Sequence, residues 1–251
     1  MVARQLDEQL ARVFPVGRRL RVLDVGMGRG AQALRLARLG HQVTGVERDP
    51  RLIATARGTL AEEPDGIRER VRLVQGEGRD TGVHFLPGSF DVVLCHGVLM
   101  HVEEPDPLVA GLARMLAPGG LLSLLVRNGD ALAMTPGLTG DWTGALTALD
   151  STALLPRSRS EADGGTPAAP APEGRADRLS ALTATLHGIA APLHTWYGVH
   201  VFAGRTPGAP APVCSVAPDA LETLLAVEER AGRTDPYRGV AELLHLCGVR
   251  G

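Results

Sequence analysis

The sequence predicts an α/β fold, a mostly parallel sheet with helices on both faces. Short apolar runs alternate strictly with helical stretches from about residue 19 to residue 126, as parallel strands and their crossover helices do. A glycine-rich turn, Asp24-Val25-Gly26-Met27-Gly28-Arg29-Gly30, joins the first strand to the first crossover helix. At 251 residues the chain fits one large domain, so 1–251 is read as a single unit.

The elements follow in order. Residues 3–14 are amphipathic, with Leu6, Leu10 and Val13 on one helical face, and Pro15 and Gly17 end that helix. The apolar run Arg19–Val25 is the first strand. A helix over Ala31–Leu39 follows, with Gly40 placed to end it. Gln42–Val46 is the second strand, running into Glu47, and Pro50–Thr59 the next helix. Val71–Gln75 and Phe90–Cys95 are strands three and four. A helix around Leu108–Leu116, a turn at Pro118-Gly119-Gly120 and a fifth strand over Leu121–Val126 come next. After Asp150 the texture changes. Residues 156–176 are rich in Pro, Ala, Gly, Ser and charge with no hydrophobic period, which predicts a flexible insertion or lid. Order resumes with a helix at Arg178–Ile189, a strand at Thr195–Phe202, a helix at Asp219–Arg230 and a last strand at Ala241–Cys247.

Composition narrows the function classes. Net charge is −2 and every one of the 26 basic residues is arginine. Residues 1–57 hold 11 arginines against 5 acids. That basic portion faces an anionic partner or, more blandly, is a solvated helix surface. Three scattered cysteines, Cys95, Cys214 and Cys247, make no disulfide framework, and no His/Cys cluster has zinc spacing, so no metal is expected. No apolar stretch reaches spanning length, and none resembles a signal peptide. A cytoplasmic protein without a membrane partner is the expectation.

The glycine turn carries the chemistry. At the end of a parallel strand, glycines let the backbone approach a nucleotide closely. The spacing Gly26-x-Gly28-x-Gly30 departs from the Gly-x-Gly-x-x-Gly of nicotinamide enzymes. Asp24, just ahead of it, suits the ammonium of a methionine moiety better than a pyrophosphate. Glu47, with Arg48 beside it, ends the second strand, where a carboxylate can accept both ribose hydroxyls. After strand three, Gln75-Gly76-Glu77-Gly78 offers Glu77 to an adenine amine.

Together the segments Leu23–Gly30, Val43–Glu47, Val74–Gly78, Phe90–Val102 and Leu116–Val126 resemble the successive motifs of class I S-adenosylmethionine-dependent methyltransferases. The resemblance implies the Rossmann-like fold of that class, seven strands with the last antiparallel. It implies S-adenosyl-L-methionine as cofactor, with Asp24, Gly26, Gly28, Gly30, Glu47, Arg48, Gly76, Glu77 and Gly78 around it and Met27 and His96 as neighbours. A narrower likeness joins Cys95–Val102, Asn128–Met134, Gly140-Asp141-Trp142, Gly198–Phe202, Leu224–Glu228 and Asp235-Pro236-Tyr237. These pieces resemble the bacterial tRNA 5-carboxymethoxyuridine methyltransferase family, which methylates a carboxylate on wobble uridine. Where that family has a lysine-rich run after the position of Trp142, this chain has Arg157, Arg159, Glu161 and Asp163.

Candidate catalytic groups lie past strands four and five: Arg127, His96 and His101, with Asn128 and Asp130 nearby. A carboxylate acceptor is already ionised and needs alignment and a cationic clamp, for which Arg127 has the geometry. A hydroxyl acceptor needs a base, for which His96 or His101 is the natural group. For either histidine the plain alternative is a packed or surface imidazole. Trp142, Trp196 and Tyr197 are candidates for stacking on a planar acceptor or for ordinary packing. The acceptor is thus tRNA at a modified uridine or a small molecule, such as a carboxylic acid or secondary metabolite.

Overall fold

The computed structural model describes residues 1–151, 174–203 and 218–251. In chain order the elements are α1 (Val2–Val13), β1 (Arg21–Val25), α2 (Ala31–Arg38), β2 (Gln42–Glu47), α3 (Pro50–Ala61), α4 (Asp65–Arg68), β3 (Val71–Gln75), α5 (Thr81–His84) and β4 (Phe90–His96). Then come α6 (Pro105–Met115), β5 (Leu116–Arg127), α7 (Met134–Leu138), α8 (Trp142–Asp150), α9 (Leu179–Gly188), β6 (Leu193–Val199), α10 (Pro218–Ala231) and β7 (Leu243–Val249).

The seven strands form one sheet in the order β3-β2-β1-β4-β5-β7-β6. The first five pair in parallel, and β7 runs antiparallel to both β5 and β6. The order reverses between β1 and β4. In open α/β sheets the crevice for a ligand lies at that switch, beyond the carboxyl ends of the strands.

Period-two alternation sends each strand's apolar residues to opposite faces. Val22, Val43, Val92 and Leu94 pack with Leu6 and Leu10 of α1 and Ala33, Leu36 and Ala37 of α2. Leu23, Val25, Val46, Val93 and Cys95 pack on the other face with Leu108, Val109 and Leu112 of α6 and Leu182 and Leu186 of α9. Leu94 and Leu112 are fully buried, and each such side chain contributes roughly 1.5–3 kcal/mol through removal from water. Local signals set the helix ends. The Asp49 carboxylate accepts from the Arg51 amide ahead of Pro50, and Gly40 takes φ +98° after α2.

Three expectations are corrected. Pro118-Gly119-Gly120 is no separate turn but an irregularity inside β5, where register jumps from Phe90↔Leu116 to Val92↔Leu121. A Cβ on Gly120 would lie 2.8 Å from the Ala117 carbonyl oxygen, so the kink needs glycine there. The strand expected to reach Phe202 stops at Val199, because His200 takes φ +59°. On α1, Val13 is only half-buried, whereas Gln5 and Gln9 are buried beside Leu6 and Leu10. Of the expected insertion, 156–173 lie outside the described residues. Its last residues are tied down: Arg175 N–H donates to the Met100 carbonyl at 2.9 Å and Ala176 is fully buried. No helix among the described residues is long and apolar enough to cross a membrane.

Leu94→Ala should cost on the order of 2–5 kcal/mol, because the cavity cannot collapse between the sheet and two helices. Leu39→Ala, at a position 57% exposed, should change stability by about 0.5 kcal/mol or less. Urea midpoints of the two variants check this.

Candidate active site at the strand switch

The glycine turn leaves β1 with Gly26, Gly28 and Gly30 at φ +70°, +59° and +78°, a region where side chains are strained. Gly26 also has a neighbour requiring glycine: its Cβ would sit 2.2 Å from Val98 Cγ2. The loop after β4 therefore closes down on the turn. Nothing lies within 4 Å of a Cβ on Gly28, so the turn is open on that side.

Glu47 holds the turn. It is 8% exposed. Its Oε2 accepts from the Gly28 N–H at 3.0 Å, and its Oε1 accepts from the Arg48 and Asp49 N–H groups at 2.9 and 3.0 Å. Its backbone carbonyl accepts from Gly76 N–H at 3.0 Å. One residue thus ties the loops after β1, β2 and β3 together. Gly78 lies close over β1, where a Cβ would meet Val25 Cγ1 at 2.7 Å. Glu77 itself is exposed and paired with Arg79 at 3.2 Å. Arg48 is exposed. The Met27 side chain packs with Ile53 and Ala56 in a small cluster, over Gly45, whose Cβ position its sulfur covers.

Asp24 is the unsatisfied member. It is 3% exposed and its Oδ2 has no hydrogen-bond partner. Burial, and secondarily the negative charge of Glu47, push its carboxyl up to about 7. An unpartnered buried carboxyl is set to receive a cation or hydrogen-bond donors.

On the β4 and β5 side, His96 Nε2 lies 2.8 Å from Ser123 Oγ, and burial, with a lesser contribution from the charge of Arg35, pushes its pKa down to about 4. The ring is neutral and a weak base. His101 is exposed, one turn past β4. Arg127 ends β5 half-buried, and its Nε is buried with no partner. Two neighbours prove to be structural. The Asn128 side chain donates to the Gly239 and Ala241 carbonyls at 2.9 and 2.8 Å and accepts from the Asp130 N–H. Asp130 accepts from the Leu179 N–H at the start of α9 and pairs with Arg178. Tyr197 is buried against His245, the Arg238 guanidinium covers Trp196 at 4.0 Å, and Trp142 is 70% exposed.

A cleft of about 490 Å3 lies between the start of α6 and α9, and none of the glycine-turn residues lines it. Glu103, Glu104, Asp106 and Asp177 line it with Arg175. Its acidic balance does not suit an anionic ligand. Ser123, His245 and Asp177 are buried polar residues that no motif of the sequence marks. The legible sign for the first two was a single polar residue inside an apolar strand, Leu-Leu-Ser-Leu-Leu and Leu-Leu-His-Leu-Cys.

Comparison with known proteins now bears on this geometry. Residues 23–124 match the family model described as a methyltransferase domain. The ubiquinone biosynthesis O-methyltransferase of Xanthomonas campestris is 39% identical over 124 residues, 49% of each chain. The tRNA 5-carboxymethoxyuridine methyltransferase of Escherichia coli is 34% identical over 137 residues, 55% of this chain and 51% of that one. The chain spans about half the length of the curated relatives it matches. A putative S-adenosylmethionine dependent methyltransferase from Listeria monocytogenes shares the fold, with TM-score 0.60 and 16% identity over 100% of this chain and 98% of that one.

Asp24 supplies a stability test. Its folded pKa is raised above the ordinary 3.8, so the folded state holds a proton that the unfolded state has lost. Stability should fall as pH rises from about 4 to about 7 and level off above. Asp24→Asn should remove a cost of up to about 4 kcal/mol, raising the urea midpoint at pH 8 with no gain at pH 4. An unchanged or lowered midpoint at pH 8 would reject the buried, unpaired carboxyl. With its switch-point turn and its glycines, the stretch 23–124 matches a methyltransferase domain.

Proposed function

We propose that the chain is an S-adenosylmethionine-dependent O-methyltransferase whose acceptor is a carboxylate, on a modified wobble uridine of tRNA. The observation that carries the reading is that the Asp24 Oδ2 on β1 and the Arg127 Nε at the end of β5 are both buried without a hydrogen-bond partner. The residues present fit the cofactor. Asp24 would hold its ammonium, the Gly26–Gly30 turn would lie against it, and Glu47 would keep the turn in place and accept from ribose hydroxyls. Glu77 is exposed and would have to leave Arg79 to take part. When bound, the cofactor supplies an electrophilic methyl group on a sulfonium.

The chain's own residues do the rest. Arg127, anchored at the end of β5, would hold a carboxylate through its guanidinium and orient it for in-line attack. No base is required, because a carboxylate is ionised at neutral pH. A His96 pKa of about 4 fits that division, since such a ring accepts a hydrogen bond but takes a proton poorly. The likeness to the tRNA enzyme supports this acceptor, as it extends over 55% of the chain.

One observation favours a second reading, a small-molecule acceptor. Seven of the 11 N-terminal arginines, Arg4, Arg12, Arg18, Arg21, Arg35, Arg38 and Arg51, are in ion pairs with acids of this chain. Charge committed in this way contributes little to phosphate binding. Incubation with methyl-labelled cofactor, then mass spectrometry of tRNA nucleosides and of extracted metabolites, separates the two readings.

Kinetics test the clamp. Arg127→Ala should lower kcat/KM by roughly tenfold or more, on the scale of a charge-assisted hydrogen bond, while His101→Ala keeps most of the rate. A hundredfold loss in His101→Ala beside a healthy Arg127→Ala would replace the carboxylate by a hydroxyl acceptor.

A further inference from the structure

A chain of buried polar side chains runs from the end of β4, through the sheet, to α1. His96 Nε2 is 2.8 Å from Ser123 Oγ, which is 2.8 Å from His245 Nε2. His245 Nδ1 is 2.8 Å from Gln5 Oε1. Ser123 and His245 are fully buried and Gln5 is 1% exposed. The two imidazoles meet edge to face, with centroids 5.6 Å apart, and Tyr197 stacks on His245.

Proton counting leaves few arrangements. Two imidazoles sharing one buried hydroxyl cannot both carry charge at acceptable cost, and burial lowers both pKa values. With both rings neutral, Ser123 either donates to one histidine and accepts from the other, or accepts from both and donates to the Cys247 thiol. Three arrangements remain, and the Gln5 amide decides among them. Its Oε1 faces His245 and can only accept, so His245 carries its proton on Nδ1. Its Nε2 is then an acceptor and takes the Ser123 hydroxyl proton. Ser123 must then accept from His96 Nε2–H.

We infer that Gln5, His245 and Ser123 are positioning residues that fix His96 as the neutral Nε2–H tautomer and leave Nδ1 a hydrogen-bond acceptor. At the carboxyl end of β4, such an acceptor selects a ligand group carrying N–H or O–H. It disfavours a bare oxygen anion. This resolves the role left open for His96: it recognises a donor on the cofactor or acceptor molecule and does not remove a proton. The proton position follows from the His96–Ser123–His245–Gln5 contacts whichever molecule accepts the methyl group.

Long-range 1H–15N NMR of 15N-histidine-labelled protein without ligand tests it at neutral pH, with the His96→Gln and His245→Gln spectra giving assignments. The wild-type protein should show His96 as Nε2–H and His245 as Nδ1–H, each as a single neutral tautomer. Ser123→Ala should release His96 into a tautomer mixture while His245 keeps Nδ1–H, and Ser123→Thr, which restores the hydroxyl, should restore the wild-type pattern. His96 as Nδ1–H, as from a Gln5 amide turned the other way round, would overturn the inference. So would a charged imidazolium at either position, or an unchanged His96 signal in Ser123→Ala. None of these readouts uses methyl transfer, so an inactive enzyme leaves the test intact.

Discussion

The Glu47 carboxylate is the constraint on which the site depends. It accepts three backbone N–H groups, those of Gly28, Arg48 and Asp49, and its own carbonyl accepts the Gly76 N–H. Both of its oxygens are thus engaged by the backbone. The cost falls on its neighbour. Asp24, buried within the field of that anion and without comparable donors, keeps its proton to about pH 7. Two carboxyl groups at adjacent strand ends are thereby split into a permanent clip and a vacant acceptor.

The same geometry limits what substitution at Glu47 can reveal. Removing its side chain would release the Gly28 turn as well as any ribose contact, so lost cofactor binding would not separate the two. Asp24 is the cleaner probe because it holds nothing else in place. At the ends of β4 and β5, Arg127 has an unpartnered Nε, the His96 ring is neutral, and the cleft at the start of α6 is acidic. Arg127 is therefore the group there best suited to an anion.

Much of the fold was legible in the chain. Val22 and Leu23, or Leu94 and Cys95, face opposite sides of the sheet and meet different helices, so each strand reads as a continuous apolar run. Gly26, Gly28 and Gly30 stood out because their backbone region admits little else. Other features depend on contacts distant in sequence. Asn128 looked like a site residue by its place after β5, yet it is consumed by the Gly239 and Ala241 carbonyls more than a hundred residues away. Pro118-Gly119-Gly120 has the composition of a turn, but pairing with β4 on both sides keeps it within a strand. The Gln5–His245–Ser123–His96 chain joins four elements, and no local pattern signals that assembly.

The central claim is that Asp24 waits, protonated, for the ammonium of the cofactor. Binding a cation there requires the carboxyl to ionise, so binding below pH 7 must release a proton. Calorimetry of S-adenosylmethionine binding at pH 6 and pH 8, in buffers of different ionisation enthalpy, measures that release. The account predicts close to one proton released at pH 6, almost none at pH 8, and affinity that rises between them. Binding without proton release at pH 6, or an Asp24→Asn variant that binds as tightly as the wild-type chain, would contradict it.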